Sequence, residues 1–301
     1  MQVCVAGGTG TIGRAVVCEL AERGHVVDQL VRSDFADADR LRNIFAEGRF
    51  DAVVSCIASR TGVPADAWAV DHRANLNLLE AAKAAGVGHF VLLSAICVQK
   101  PLLAFQHAKL AFEAELAASG MRHSIVRPTA FFKSLSGQIG RVKAGKPFLV
   151  FGDGTLTACK PISDGDLAAF LADCLTLEER WNRILPIGGP GPALTPRAQG
   201  EALFALLGRE PCFRSVPLGL LDTIAGVLAL LGRIIPGLAA KAELARIGRY
   251  YAGESMLVLD PATGRYDAEA TPSTGSETLA DHYRAVLEGR ASVDRGDHAV
   301  F

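Results

Sequence analysis

Seven residues near the start of the chain, Gly7-Gly8-Thr9-Gly10-Thr11-Ile12-Gly13, constrain the fold more than any other feature. They separate a short apolar strand, Gln2–Ala6, from an apolar-periodic helix that runs to about Arg23. The spacing G-x-x-G-x-x-G lets the backbone turn tightly and brings amide N–H groups and a helix N-terminus up to a pyrophosphate. A Gly motif alone is weak evidence. Between a first strand and a first helix, with a second strand over residues 26–31 close behind, it becomes specific. The expected cofactor contacts here are Gly7, Thr9, Gly10, Thr11, Ile12, Gly13 and Arg14.

Strand and helix patterns then alternate. Residues 51–58 read as a strand, 68–85 as a helix closed by Gly86, 89–94 as a strand, 105–119 as a helix closed by Gly120, and 122–127 as a strand. That order predicts an α/β fold with a doubly wound parallel (Rossmann) sheet. Residues 1–127 form the expected dinucleotide-binding domain. Residues 128–301 form a smaller C-terminal substrate or lid region, with about 161–189 returning to the sheet. Cys56, Ala58, Ser94, Pro128 and Phe131, at or just past strand ends, complete the expected cofactor contacts with Lys109.

The end of the second strand sets the cofactor type. An NAD site places an acid there, about 20 residues past the last glycine, for the ribose 2′-hydroxyl. Here stand Arg32 and Ser33, with Arg14 behind the Gly loop, while Asp28 lies mid-strand. Two guanidiniums suit a 2′-phosphate, so NADPH is expected. The next segment, Asp34-Phe35-Ala36-Asp37, reads like one that normally follows a third strand, and Asp34 and Phe35 are expected beside the adenine. No third strand precedes it. A missing loop and strand, with a break between Arg32 and Asp34, is the expectation.

Composition removes other classes. With 31 basic and 32 acidic residues and no basic block, the chain is not built for nucleic acid. Seven cysteines (Cys4, Cys18, Cys56, Cys97, Cys159, Cys174 and Cys212) are scattered without a C-x-x-C pair, which fits a reducing compartment and no metal centre. The first residues enter a strand directly, so no targeting segment is expected in the chain as given. The apolar run 216–238 is interrupted by Asp222, Arg233 and Pro236 and is too short to span a bilayer, which takes about 20 apolar residues. It suits a lid helix or a membrane-surface contact.

Residues 91–113, VLLSAICVQKPLLAFQHAKLAFE, carry the chemistry: a strand ending at Ser94, a turn, and a helix with Phe105, Lys109 and Glu113 one turn apart. Together with SIVRPTAFFKSLSGQ (124–138), GKPFLVFGDGTLTACKPISD (145–164) and ARIGRYYAGESMLVLDPATGRYD (245–267), this stretch resembles the atypical short-chain dehydrogenase/reductases. More narrowly it is similar to the NADPH-dependent divinyl chlorophyllide 8-vinyl reductases of chlorophyll and bacteriochlorophyll synthesis. The resemblance implies that Ser94, Phe105 and Lys109 are the catalytic group, with Lys109 on the nicotinamide ribose. It implies that Phe105, Phe131, Phe132 and Lys133 meet a Mg-tetrapyrrole, whose metal belongs to the substrate. Phe105 stands where the superfamily carries Tyr. Ketone reduction needs that hydroxyl to protonate an alkoxide, whereas vinyl reduction makes none. The implied setting is cytoplasmic, peripheral at a photosynthetic membrane, or plastid in a plant or alga. Two rival readings are an NADP-binding regulator or assembly factor, and a double-bond reductase of the isoflavone-reductase type.

Overall fold

The sheet is built outward from its first strand. The computed structural model describes residues 1–35, 37–232 and 234–292. It divides into two units, the first comprising Met1–Ser59, Pro64–Pro128 and Asp164–Ile187 and the second comprising Arg60–Val63, Thr129–Ser163 and the residues from Gly188 onward.

In chain order the first unit contains β1 (Gln2–Ala6), α1 (Thr11–Glu22), β2 (Val26–Leu30), α2 (Arg32–Phe35), α3 (Ala38–Gly48) and β3 (Ala52–Ser55). A helix interrupted by a π-turn follows: α4 (Pro64–Ala67), the turn itself (Trp68–Ala74) and α5 (Asn75–Ala84). Then come β4 (His89–Leu93), α6 (Ala104–Ala118) and β5 (Arg122–Pro128). The helix Asp164–Asp173 and the strand Arg183–Ile187 complete it. The strands lie in the order β2-β1-β3-β4-β5 with Arg183–Ile187 last, and every pairing is parallel. This is the doubly wound sheet that the alternating pattern predicts. The order reverses between β1 and β3, so the crevice for a ligand opens at their carboxyl ends.

Burial follows the layers. Strands β3 and β4 are buried along their whole length and are apolar apart from Ser55 at the end of β3 and His89 at the start of β4, as strands covered on both faces are. Phe90, Phe112, Leu78, Leu41 and Phe45 fill one side of the sheet. Each such side chain contributes about 1.5–3 kcal/mol by leaving water.

No break stands before Asp34, while the strand found wanting in the sequence is wanting in the sheet as well, among the described residues. The backbone continues from β2 into one helical turn, α2, with the Asp34 N–H donating to Val31 O at 2.9 Å. Asp37 then caps α3, its carboxylate accepting from the Asp39 and Arg40 N–H groups at 2.9 and 3.1 Å. Among the described residues no strand pairs with the outer side of β2. That strand is accordingly exposed along most of its length, with Val26 63 % accessible. A one-turn helix satisfies the local hydrogen bonds that a longer crossover would otherwise carry.

The second unit has its own core, in which Phe132, Ile139, Val142, Phe148, Leu203, Phe204, Leu279 and Tyr283 pack together. Strands Phe148–Phe151 and Phe213–Val216 pair in parallel. The helices Leu218–Leu231 and Pro236–Gly253 form a hairpin tied by Arg249 Nε to Asp222 Oδ1 at 3.0 Å. Arg233, which interrupts the apolar run in the sequence, lies outside the described residues. Among the described residues no helix is long and apolar enough to cross a membrane.

Candidate active site

The Gly loop occupies the crevice between the ends of β1 and β3. Gly7 has φ +83°, and a Cβ there would meet Cys56 O at 2.8 Å, so neither the dihedral nor the space admits a side chain. A Cβ on Gly13 would lie 2.1 Å from Gly7 O, which explains why α1 needs glycine in its first turn to pack on the loop. The loop closes by the Gly10 N–H donating to Gly7 O at 3.0 Å. Gly10 is the N-cap of α1, no side chain caps that end, and no acid sits in its first turn. An uncapped helix N-terminus above a loop of bare backbone is electropositive and open to a diphosphate. The residues present therefore fit a dinucleotide.

The basic residues are placed less simply than the sequence implies. Arg14 folds back, donating from Nη1 to Thr9 O at 2.6 Å. Arg32 pairs with Asp66 of α4, Nη2 to Oδ1 at 3.0 Å, and remains half exposed. Asp34 and Phe35 are both buried. The Asp34 carboxylate accepts from the Val31 N–H at 2.8 Å and pairs with Arg40 Nε at 2.7 Å, so it is engaged by its own segment.

Phe105 and Lys109 both fall in α6 and are both partly buried. Gln106 starts that helix: its Oε1 accepts from the Leu102 and Leu103 N–H groups at 2.7 and 2.9 Å, and its Nε2 donates to Cys97 O. Lys109 does not pair with Glu113, one turn along. Its Nζ lies 3.0 Å from Oδ1 of Asp71, in the π-turn. Glu113 is 3 % exposed and belongs to a different network, accepting from Ser94 Oγ and, at both carboxylate oxygens, from Arg127. The structure thus joins Ser94 to Glu113 and Arg127, and Lys109 to Asp71. Cys56 is close enough to Lys109 to feel its charge; burial pushes the thiol up to about 12, and the ammonium opposes that shift. Ala58, two residues on, is exposed, and Pro128 is buried at the end of β5.

Sequence reasoning missed Asp71, Gln106 and Arg127. Only Gln106 left a signal, as a Gln at the third position of a helix start. The other two become meaningful through contacts 38 and 14 residues away.

The remaining predicted residues lie in the second unit. Phe131 is partly buried and bridges to Ile162. Phe132 is 3 % exposed, with its ring 5.3 Å from that of His282, so it is a core residue of that unit. Lys133 is partly buried in the following helical turn. Among the described residues no group of three or more His, Cys, Asp or Glu is disposed to hold a metal ion.

A Gly-rich turn at the switch point of a doubly wound parallel sheet defines an NAD(P)H-binding protein of the Rossmann class. The profile of the NAD(P)H-binding family matches residues 27–178. The chain belongs, within that class, to the divinyl chlorophyllide a 8-vinyl-reductase family: it is 52 % identical to the chloroplastic enzyme of that name from Oryza sativa subsp. indica, over 99 % of this chain and 82 % of the relative. That alignment runs over 331 residues against the 301 of this chain, so the relative carries positions without a counterpart here. A photosystem II assembly factor, Ycf39 of Trieres chinensis, is 31 % identical over 63 % of this chain and 64 % of its own length. Among solved structures, the NADPH-dependent quinone oxidoreductase QOR2 of Escherichia coli, complexed with NADPH, shares the fold. Its TM-score is 0.66, with 17 % identity, covering 95 % of this chain and 100 % of that one.

Proposed function

We propose that the chain reduces the 8-vinyl group of divinyl chlorophyllide a to ethyl with NADPH. The observation that carries this is the family membership across nearly the whole chain, joined to a Phe where a ketone reductase of this class needs a phenol. Bound NADPH supplies a hydride to the vinyl carbon, and a proton from water or another donor completes the ethyl group. The chain's own residues bind and orient. The bare Gly loop and the end of α1 take the diphosphate, Arg14 and Arg32 take the 2′-phosphate, and Lys109 holds the nicotinamide ribose. Phe105 offers an apolar face to a flat macrocycle and no acidic proton. The negative charge left by hydride addition spreads into the conjugated ring, so no group need protonate it at once.

The apolar stripe of the helix Leu218–Leu231, with Leu220, Ile224, Val227 and Leu231 exposed and continuing to Ile234 at 83 % exposure, supports a peripheral contact with the membrane that holds the pigment. Purified protein incubated with NADPH and divinyl chlorophyllide, followed by chromatography, should yield the ethyl product. NADPH binding without pigment turnover would favour instead the role that the similarity to Ycf39 raises, that of an assembly factor.

A further inference from the structure

The buried ion pair between Lys109 and Asp71 has a specific local origin. Asp71 sits in the π-turn Trp68–Ala74, where one residue more than an α-helix allows is wound into the turn. The turn is held by Asn75, whose Nδ2 donates to Asp71 O at 3.1 Å and to Val70 O at 3.4 Å. Asn75 is held in turn by Ser55 at the end of β3, whose Oγ donates to Asn75 Oδ1 at 2.5 Å. A chain of polar contacts therefore runs from the sheet, through the turn, to the ammonium on α6.

The pair is poorly explained as a stabiliser. Asp71 is 1 % exposed and the Lys109 side chain 11 %, and a charge pair taken out of water gains little over an apolar pair of the same volume. The carboxylate is also incompletely served. Oδ1 faces Lys109 and, at 3.3 Å, the Ser59 N–H, while buried Oδ2 has no hydrogen-bond partner among the described residues. A lysine ammonium has three N–H donors, and Asp71 uses one. Its four-carbon stem would otherwise have to be ordered when a ligand arrives.

We propose that Asp71 is the positioning residue for Lys109, holding the ammonium in place so that its other N–H groups meet the ribose hydroxyls of the cofactor without further ordering. This rests on the reading that Lys109 binds that ribose. The π-turn is then the device that brings a carboxylate from the α4–α5 helix to the side chain it orients.

The test is a double-mutant cycle read by NADPH fluorescence on binding, which needs neither pigment nor turnover. Asp71→Asn keeps the shape and removes the charge; it should raise the NADPH dissociation constant about tenfold, the scale of a charged hydrogen bond. In a Lys109→Met background the same change should alter that constant less than about twofold. In steady state, Asp71→Asn should raise KM for NADPH and leave KM for the pigment unchanged. Asp71→Glu, which keeps the charge but displaces it, should fall between wild type and Asp71→Asn, and it carries the test if Asn does not fold. Equal factors in both backgrounds, or wild-type affinity in a folded Asp71→Glu when Asn fails, would overturn the inference. Unchanged NADPH affinity in Lys109→Met alone would remove the reading beneath it, and the inference with it.

Discussion

Arg32 and Asp66 are joined across 3.0 Å, linking the first residue of α2 to the short helix α4. With the guanidinium half exposed, the pair itself contributes about 0–1 kcal/mol to stability. A cofactor effect at Arg32 can therefore be read apart from a folding effect. Arg32→Ala should weaken NADPH binding by about 1.5–3 kcal/mol, the scale of a charge-assisted contact to phosphate, and leave NADH binding nearly unchanged. Fluorescence titration with both cofactors measures this. Equal affinity for NADPH and NADH in the wild type would remove the 2′-phosphate site.

Phe105→Tyr tests the reason for the missing phenol. The ring is partly buried, so the hydroxyl should change stability by no more than about 1 kcal/mol and NADPH affinity by less than about twofold. On the proposed function Phe105 packs a planar macrocycle and the site positions no small carbonyl, so ketone reduction should not appear. NADPH consumption against a panel of ketones would reveal the opposite result.

Glu113 is predicted to matter for folding more than for chemistry. Its side chain is 4 % exposed and that of its partner Arg127 15 %, so Glu113→Gln leaves a largely buried guanidinium without its counter-charge. A loss of about 3–5 kcal/mol is expected, read as a lowered denaturant midpoint. A loss below about 1 kcal/mol would show that the Ser94–Glu113–Arg127 network is not a structural anchor.

His89 makes the fold sensitive to acid. Burial pushes its pKa from 6.5 down to about 4, with smaller contributions from the charges of Arg122 and His123. Ser124 Oγ donates to Arg180 O at 2.9 Å and lies 3.1 Å from His89 Nε2, so it accepts from a neutral Nε2–H ring. Nδ1 is buried without a partner among the described residues, and a second proton there would find no acceptor. The folded pKa is depressed, so the contribution is complete above pH 6.5 and is lost as pH falls through about 4. It amounts to about 3 kcal/mol. Stability of the wild type should fall over that window, and His89→Phe should flatten this part of the profile. An unchanged acid limb in the variant would assign the loss to other groups.

The sequence alone determined what depends on neighbours along the chain. Gly7 and Gly13 announce their loop because a positive φ at the first and a Cβ-free approach at both are properties of single residues at fixed spacing. Apolar runs of strand length alternating with helical periodicity determined the parallel sheet. A spacing of four placed Phe105 and Lys109 on one helix. The tertiary structure decided what depends on partners far along the chain. Glu113 is the nearer acid to Lys109 in sequence, yet the π-turn brings Asp71 to the ammonium, and Glu113 turns to Ser94 and Arg127 instead. Phe131 and Phe132 are identical letters side by side, and only packing against His282 and its neighbours makes Phe132 a core residue. At α2, the chain passes from β2 towards α3 through one helical turn, and no strand pairs with the outer side of β2 among the described residues. Local conformation is written in adjacent residues. The pairing of buried charges is settled when the elements carrying them pack, since only then does the loss of water force each charge to find its partner.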